Sequence, residues 1–142
     1  MKILVLNGPN LNMLGIREPE IYGKATYNDL VALIHAQAER LGVEAVCRQS
    51  NHEGVLVDWI QQALGEYDGI VINPGAYTHT SVALLDAVKA VGIPTVEVHI
   101  SDPDTREEFR RVSYVRAACV ATVKGLGFDG YVRAMEILAD RV

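Results

Sequence analysis

A short segment of alternating polar and apolar residues is a candidate for acid–base chemistry. Glu97, His99 and Ser101 alternate with valine and isoleucine. A strand places alternate side chains on one face, so these three polar groups share a side. A polar face in a covered strand is costly unless its groups are partnered, and a carboxylate can orient and charge a histidine. The spacing therefore predicts a Glu97–His99 pair in which the histidine transfers protons.

Two other interpretations of this segment remain open. Glu97 and His99 could bind a metal ion together with His79, although the sequence has no zinc-type spacing such as HExxH. His99 could also be a structural histidine with a satisfied hydrogen bond. We interpret the two remaining histidines, His35 and His52, as peripheral and structural.

Two further groups of polar residues follow predicted strands. One lies in the long segment 8–25, and βα connections of this length are often binding loops. The other directly precedes a predicted helix, whose free backbone N–H groups suit an anion. The first group is Asn7, Asn10, Arg17 and Tyr22, and the second is Asn73, Gly75, Tyr77, His79 and Ser81.

The elements that must position these groups alternate regularly along the chain. Apolar runs typical of strands covered on both faces are separated by helical patterns, which predicts βαβ units, right-handed crossovers and a parallel sheet. Thr26 with Asp29 resembles an N-cap, Gly42 is a helix stop, and Ser50 with Glu53 fits a capping box. The predicted strands are 3–6, 43–47, 69–72, 95–100 and 119–123. The predicted helices are 27–41, the segment after 53, 80–91, a short charged helix over 105–111 and the segment from 128 onward.

The most economical topology for these elements is an α/β, flavodoxin-like three-layer sandwich. Its five-stranded parallel sheet has the order 2-1-3-4-5, and one domain spans residues 1–142. Ligands of open α/β sheets bind beyond the carboxyl ends of the strands at the switch point, here between strands 1 and 3. The polar groups crowd the ends of strands 1, 3 and 4, as this topology requires.

Composition narrows the class of partner. The 142 residues are 49% hydrophobic with a net charge of −5, which is ordinary for one globular domain and lacks the basic surplus of a nucleic-acid binder. No apolar run reaches the length of a membrane span, and the start is too short for a signal peptide. We expect a cytoplasmic protein with free thiols at Cys47 and Cys119, and a small-molecule or self partner. An anionic ligand would need a locally positive site.

A literal dinucleotide motif is rejected on context. Gly125, Gly127 and Gly130 match GxGxxG, but no second strand or ribose-binding acid follows about 20 residues later. We interpret these glycines as a tight strand-to-helix turn. A phosphoryl-accepting receiver domain is also disfavoured, because the ends of strands 1 and 3 carry Asn7 and Asn73 instead of acids.

Longer segments around the polar groups resemble the type II 3-dehydroquinate dehydratases. The resemblance covers essentially the whole chain in order, and several of its motifs are long. The matching segments are 7–12 (NGPNLN), 17–19 (REP), 22–23 (YG), 48–51 (RQSN), 73–81 (NPGAYTHTS), 97–101 (EVHIS), 106–111 (REEFRR) and 113–114 (SY).

The resemblance implies a reaction and a mechanism. Members dehydrate 3-dehydroquinate to 3-dehydroshikimate by an anti elimination through an enolate, without a cofactor, in the shikimate pathway to chorismate and aromatic amino acids or in quinate breakdown. By resemblance, Tyr22 is the base that removes the C2 proton, and Arg17 favours the tyrosinate. His99, oriented by Glu97, protonates the leaving C1 hydroxyl. Asn10 helps to hold a water that stabilises the enolate.

The resemblance also assigns residues that bind the substrate. It implies that Asn73, Ser101 and the backbone N–H of Ile100 receive the carboxylate. His79 and Arg110 are expected to contact the ring hydroxyls.

Assembly is implied in the same way. The family forms a dodecamer built of trimers, in which Asp86 reaches the site of a neighbouring subunit. No metal or cofactor is implied. The alternative is a non-catalytic flavodoxin-like module that binds a small carboxylate metabolite, which would keep the anion site at 73–81 and 100–101 but would not need Tyr22 or Arg17.

Overall fold

A computed structural model describes residues 1–16 and 18–141. Arg17 and Val142 lie outside the described residues, and so does the side chain of Tyr22. Two sequence predictions therefore fall outside them: the role of Arg17 and that of the Tyr22 hydroxyl.

The sheet confirms the predicted topology. Its strands are parallel and follow the order β2-β1-β3-β4-β5. In the register, Asn7 at the end of β1 lies beside Asn73 at the end of β3, which places the switch point between two asparagines. The strands are β1 (Lys2–Asn7), β2 (Glu44–Gln49), β3 (Gly69–Asn73), β4 (Thr95–His99) and β5 (Ala121–Lys124).

Helices cover both faces of this sheet. The Thr26–Asp29 capping box is present in full, and the helix that it starts ends at Gly42 in the left-handed conformation, as predicted. Ser81 caps a later helix by accepting from the backbone N–H of Leu84 at 2.9 Å. The helices are α1 (Pro19–Tyr22), α2 (Tyr27–Leu41), α3 (Glu53–Gln62), α4 (Val82–Val91) and α5 (Asp129–Asp140).

Two local predictions were wrong. Ser50 does not cap α3: its hydroxyl accepts from the N–H of His52, two residues on, and His52 is the N-cap residue without a side-chain cap. The charged helix over 105–111 is replaced by two 3-10 turns, Pro103–Thr105 and Glu108–Arg111. Pro103 starts the first turn, and Asp102 caps it by accepting from the N–H of Asp104 at 3.0 Å.

The core lies in two layers because successive residues of each strand face opposite sides of the sheet. Ile3 and Val5 of β1 pack on the side of α2 and α5, whereas Leu4 and Leu6 pack on the side of α3 and α4. All four side chains are buried. Another 3-10 turn, Val115–Ala118, buries Val115 in the second layer; this turn was not predicted from the sequence.

The remaining sequence predictions concern the cysteines and the glycine motif. Cys47 and Cys119 are free, as predicted, and burial raises their thiol pKa values to about 11 and about 12. Gly125 and Gly127 have positive φ in the turn from β5 to α5, which confirms a tight strand-to-helix turn. None of the helices within residues 1–16 and 18–141 is long and apolar enough to cross a membrane.

Candidate active site

A pocket opens at the carboxyl ends of β1, β3 and β4, where the topology predicted a site. Its cavity volume is about 180 Å³. Seven of the residues predicted from the sequence line it together: Asn10, Asn73, His79, His99, Ile100, Ser101 and Arg110. Glu97 lies behind His99, and Asp86 is exposed on α4 and does not line the pocket of its own chain.

The floor of this pocket is fixed by two loops that interlock at the switch point. The N–H of Gly8 donates to the carbonyl of Asn73 at 2.8 Å, and a Cβ on Gly8 would lie only 2.5 Å from the oxygen of Pro74. Gly75 has φ +59°, and a Cβ there would lie 3.0 Å from the oxygen of Pro9. Only glycine allows such close backbone contacts and this φ without strain. The NGP and NPG segments therefore hold each other in place.

A second support comes from the end of β2. Asn10 has a left-handed φ of 70°, and its backbone N–H donates to Oδ1 of Asn51 at 3.0 Å. Gln49 donates to the same Oδ1 at 3.2 Å and to the carbonyl of Gly8 at 3.2 Å. The RQSN segment thus positions the loop that carries Asn10.

The predicted Glu97–His99 pair is present. Nε2 of His99 lies 3.2 Å from Oε2 of Glu97, and the Glu97 side chain has no solvent exposure. This buried Nε2 makes no well-aligned hydrogen bond, so the contact is an ion pair when the ring is protonated. Glu97 occupies the Nε2 side of the ring, which leaves Nδ1 as the nitrogen available to a ligand.

Three residues that the sequence analysis did not assign stabilise the Glu97 carboxylate. Ser113 donates to Oε2 at 2.7 Å, Arg116 donates through Nε to Oε1 at 3.1 Å, and the Thr78 hydroxyl lies 3.3 Å from Oε2. Burial alone would raise the pKa of Glu97, but His99, Ser113 and Arg116 together lower it to about 2. Glu97 is therefore an anion at every working pH.

His79 is held in one tautomer. Its Nδ1 lies 2.7 Å from the carbonyl oxygen of Val112, and a carbonyl can only accept, so Nδ1 carries the hydrogen. Burial lowers the pKa of His79, and the positive charges of His99 and Arg110 lower it further, while the Val112 carbonyl opposes this. His79 is thus neutral at pH 7, with Nε2 free to accept from a hydroxyl.

In a protein of net charge −5, the pocket lining supplies two cationic side chains for an anionic ligand, each of them also paired with a glutamate. Arg106 and Arg110 line it with the two histidines, and no Asp or Glu of the described ranges does. Arg110 pairs with Glu107 at 2.6 Å, and Arg106 pairs with Glu18 at 3.6 Å and lies 3.5 Å from the Ser101 hydroxyl. Arg106 was not assigned to the pocket from the sequence, although the segment 106–111 that begins with it was one of the matching segments.

The metal interpretation finds no support in the described residues. Across 1–16 and 18–141, no group of three His, Cys, Asp or Glu side chains is arranged to hold a metal ion. His79 and His99 instead contact a backbone carbonyl and a carboxylate already engaged by three other residues. The arrangement suits proton transfer and the binding of a carboxylate.

The fold and the pocket define a flavodoxin-like α/β protein with a histidine–carboxylate pair at its switch point. The family model "Dehydroquinase class II" matches residues 1–139, and the chain belongs to that family. Membership makes it a hydro-lyase. Known relatives and a solved structure match this chain over almost their full lengths.

The relatives that match this chain include several named 3-dehydroquinate dehydratase. One, from Corynebacterium glutamicum strain R, is 60% identical over 98% of this chain and 96% of its own length. Another, from Clostridium acetobutylicum, is 54% identical over 97% of this chain and 96% of its own length. The crystal structure of the type II dehydroquinase from Butyrivibrio crossotus has a TM-score of 0.96, 51% identity and 97% coverage of both chains.

Proposed function

We propose that this chain dehydrates 3-dehydroquinate to 3-dehydroshikimate by a cofactor-free anti elimination. The observation that carries the proposal is the pocket itself, in which His99 and six more of the expected residues lie together. An anionic substrate of this size suits its two arginines and its neutral His79. We expect the reaction to serve the shikimate route to chorismate and the aromatic amino acids.

The elimination begins with loss of the C2 proton. The Tyr22 phenolate takes that proton. The electron pair of the broken C2–H bond moves toward the C3 carbonyl, which becomes an enolate. A water held by Asn10 donates to the enolate oxygen. Arg17 stabilises the phenolate, because a nearby cation lowers the pKa of an acid.

The enolate then expels the C1 hydroxyl. The enolate electrons form the C1–C2 double bond as the C1–O bond breaks, and His99 gives its proton to the departing oxygen, which leaves as water. Glu97 stabilises the protonated imidazole before this step. Proton exchange with solvent returns Tyr22 to the phenolate and His99 to its protonated form.

The substrate is held by the rest of the pocket. Its carboxylate is bound by Asn73, Ser101 and the backbone N–H of Ile100. The ring hydroxyls are bound by His79, which accepts through Nε2, and by Arg110. The lining of the pocket supports this assignment, because all five of these residues are among those that enclose it.

The activity is tested by mixing the protein with 3-dehydroquinate and following the ultraviolet absorbance of the conjugated enone. We expect the absorbance to rise with time and to do so equally after exhaustive chelation. Binding of 3-dehydroquinate without turnover would instead favour a non-catalytic carboxylate-binding module. Activity that chelation abolishes would favour the metal-dependent alternative.

A homo-oligomer is part of the proposal, with a dodecamer of trimers as the expected assembly. Asp86 is exposed on α4 and lies outside its own pocket, so a role for it in binding requires a second copy of the chain. Sedimentation velocity measures the assembly directly. A monomer in solution would contradict this part of the proposal.

Complementation gives a sharper test of Asp86. Asp86→Asn and Tyr22→Phe proteins are expected to be impaired separately, and mixed oligomers reassembled from both should regain up to about a quarter of wild-type activity by random pairing. The gain arises because some sites combine an intact Tyr22 with an intact Asp86 from a neighbour. No gain in verified mixed oligomers would show that both residues act within one chain.

A further inference from the structure

We propose that Tyr131, in the last helix, is a positioning residue for the substrate pocket: its hydroxyl fixes the orientation of the Asn73 carboxamide and thereby sets the affinity for the substrate. The inference rests on the proposed function. Sequence analysis gave Tyr131 no role, since it shares the helical spacing of the apolar residues on α5.

Tyr131 joins the two asparagines at the switch point. The Asn73 Nδ2 donates to the Tyr131 hydroxyl at 2.8 Å, and that hydroxyl donates to Oδ1 of Asn7 at 2.6 Å. Tyr131 and Asn7 have no solvent exposure, and Asn73 has 4%. The three groups therefore form a dry, directional chain that connects α5, β1 and β3.

The direction of this chain decides which end of the Asn73 amide faces the tyrosine. A phenol has one proton, and here it is given to Asn7, so toward Asn73 the oxygen can only accept. Nδ2 must therefore face Tyr131. The backbone N–H of Gly75, which can only donate, agrees with this, because it donates to Oδ1 of Asn73 at 3.1 Å.

The Asn73 carboxamide has one N–H left to donate to a ligand. Nδ2 carries two hydrogens, and Tyr131 accepts one of them. Asn73 lines the pocket, so the second is the group that can donate to a substrate carboxylate. With the amide reversed, a carbonyl oxygen would meet that carboxylate and repel it.

Tyr131 itself does not exchange protons with the substrate. Burial raises the pKa of its hydroxyl far above the usual range, and the hydrogen bond from Asn73 offsets this only in part. The hydroxyl therefore stays neutral at working pH, and its effect on the reaction passes through Asn73.

The test is Tyr131→Phe, which keeps the ring and removes the hydroxyl. We expect KM for 3-dehydroquinate to rise roughly tenfold while kcat changes less than about threefold. Tyr67→Phe is the matched control, because Tyr67 is half-buried against Lys2, away from the pocket, and should leave both constants unchanged. Lower thermal stability with an unchanged KM would mean a merely structural role and would overturn the proposal.

Two further variants test whether the effect of Tyr131 acts through Asn73. In an Asn73→Ala background, Tyr131→Phe should raise KM no further, since its effect acts through Asn73; additive effects would contradict the inference. If Tyr131→Phe does not fold, Asn7→Leu removes the acceptor of the Tyr131 proton while keeping Tyr131, and should also raise KM; an unchanged KM would again overturn it. Failure of the wild-type protein to turn over 3-dehydroquinate would count against the proposed function instead.

Discussion

Replacing Tyr22 with phenylalanine should lower kcat by roughly 10²- to 10⁴-fold, the usual contribution of a general base. A free tyrosine has a pKa of about 10, and a permanent cation such as an arginine beside it can lower that value by about 1–3 units. A phenol adjusted in this way can remove the C2 proton near neutral pH, whereas a phenyl ring cannot. The measurement is the steady-state rate of enone formation.

The fold should survive this substitution. Tyr22 is the last residue of the four-residue helix α1. The other three residues of that helix, Pro19 to Ile21, are exposed and lie outside both core layers. Circular dichroism and thermal unfolding of the variant should therefore match the wild type. Tyr67→Phe, which removes a distant hydroxyl, should keep full activity. Turnover of Tyr22→Phe within tenfold of the wild type would show that another group is the base.

The topology was predictable because the signals that determine it are local. Each strand is a short apolar run, and the alternation of such runs with helical spacing leaves few parallel arrangements. Parallel strands end at one edge of the sheet, so residues that follow different strands, such as Asn73 and His99, could be expected to share a pocket before any contact was known. The observed pairing of Asn7 with Asn73 confirms the register that this requires.

The groups that tune the site were not predictable in this way. Ser113 and Arg116 reach Glu97 from a 3-10 region without hydrophobic periodicity, and Tyr131 reaches Asn7 across 124 residues. Their side chains carry no local signal of a partner. The sequence indicates that a buried carboxylate such as Glu97 needs hydrogen bonds, but the packed structure alone identifies the donors.

The wrong local predictions have a related cause. A hydroxyl three residues before an acidic residue fits the capping-box pattern at both Thr26 and Ser50, yet only Thr26 forms the box. At Ser50 the hydroxyl accepts from His52 instead, because serine can also bond to the backbone two residues on. Which bond forms depends on how the chain leaves β2, and that path is set by tertiary packing.

Replacing His99 with glutamine should lower kcat by roughly 10²- to 10⁴-fold with a smaller change in KM. Glutamine is polar and of similar size, but its amide cannot deliver a proton to the departing C1 hydroxyl. The buried carboxylate behind it keeps Ser113, Arg116 and Thr78 as partners, so the variant should fold. Normal turnover in His99→Gln would exclude His99 as the acid.

Glu97→Gln distinguishes the charge of the pair from its geometry. A neutral amide 3.2 Å from the ring no longer favours the imidazolium, and Arg116, freed from its ion pair, disfavours it further. The imidazolium that gives its proton to the leaving hydroxyl is then less stable, so kcat should fall by roughly tenfold with a smaller change in KM. Glu136→Gln, which neutralises a partly exposed carboxylate paired with Arg133 on α5, should leave kcat unchanged. An unchanged kcat in Glu97→Gln would mean that the carboxylate only holds the ring in place and does not charge it.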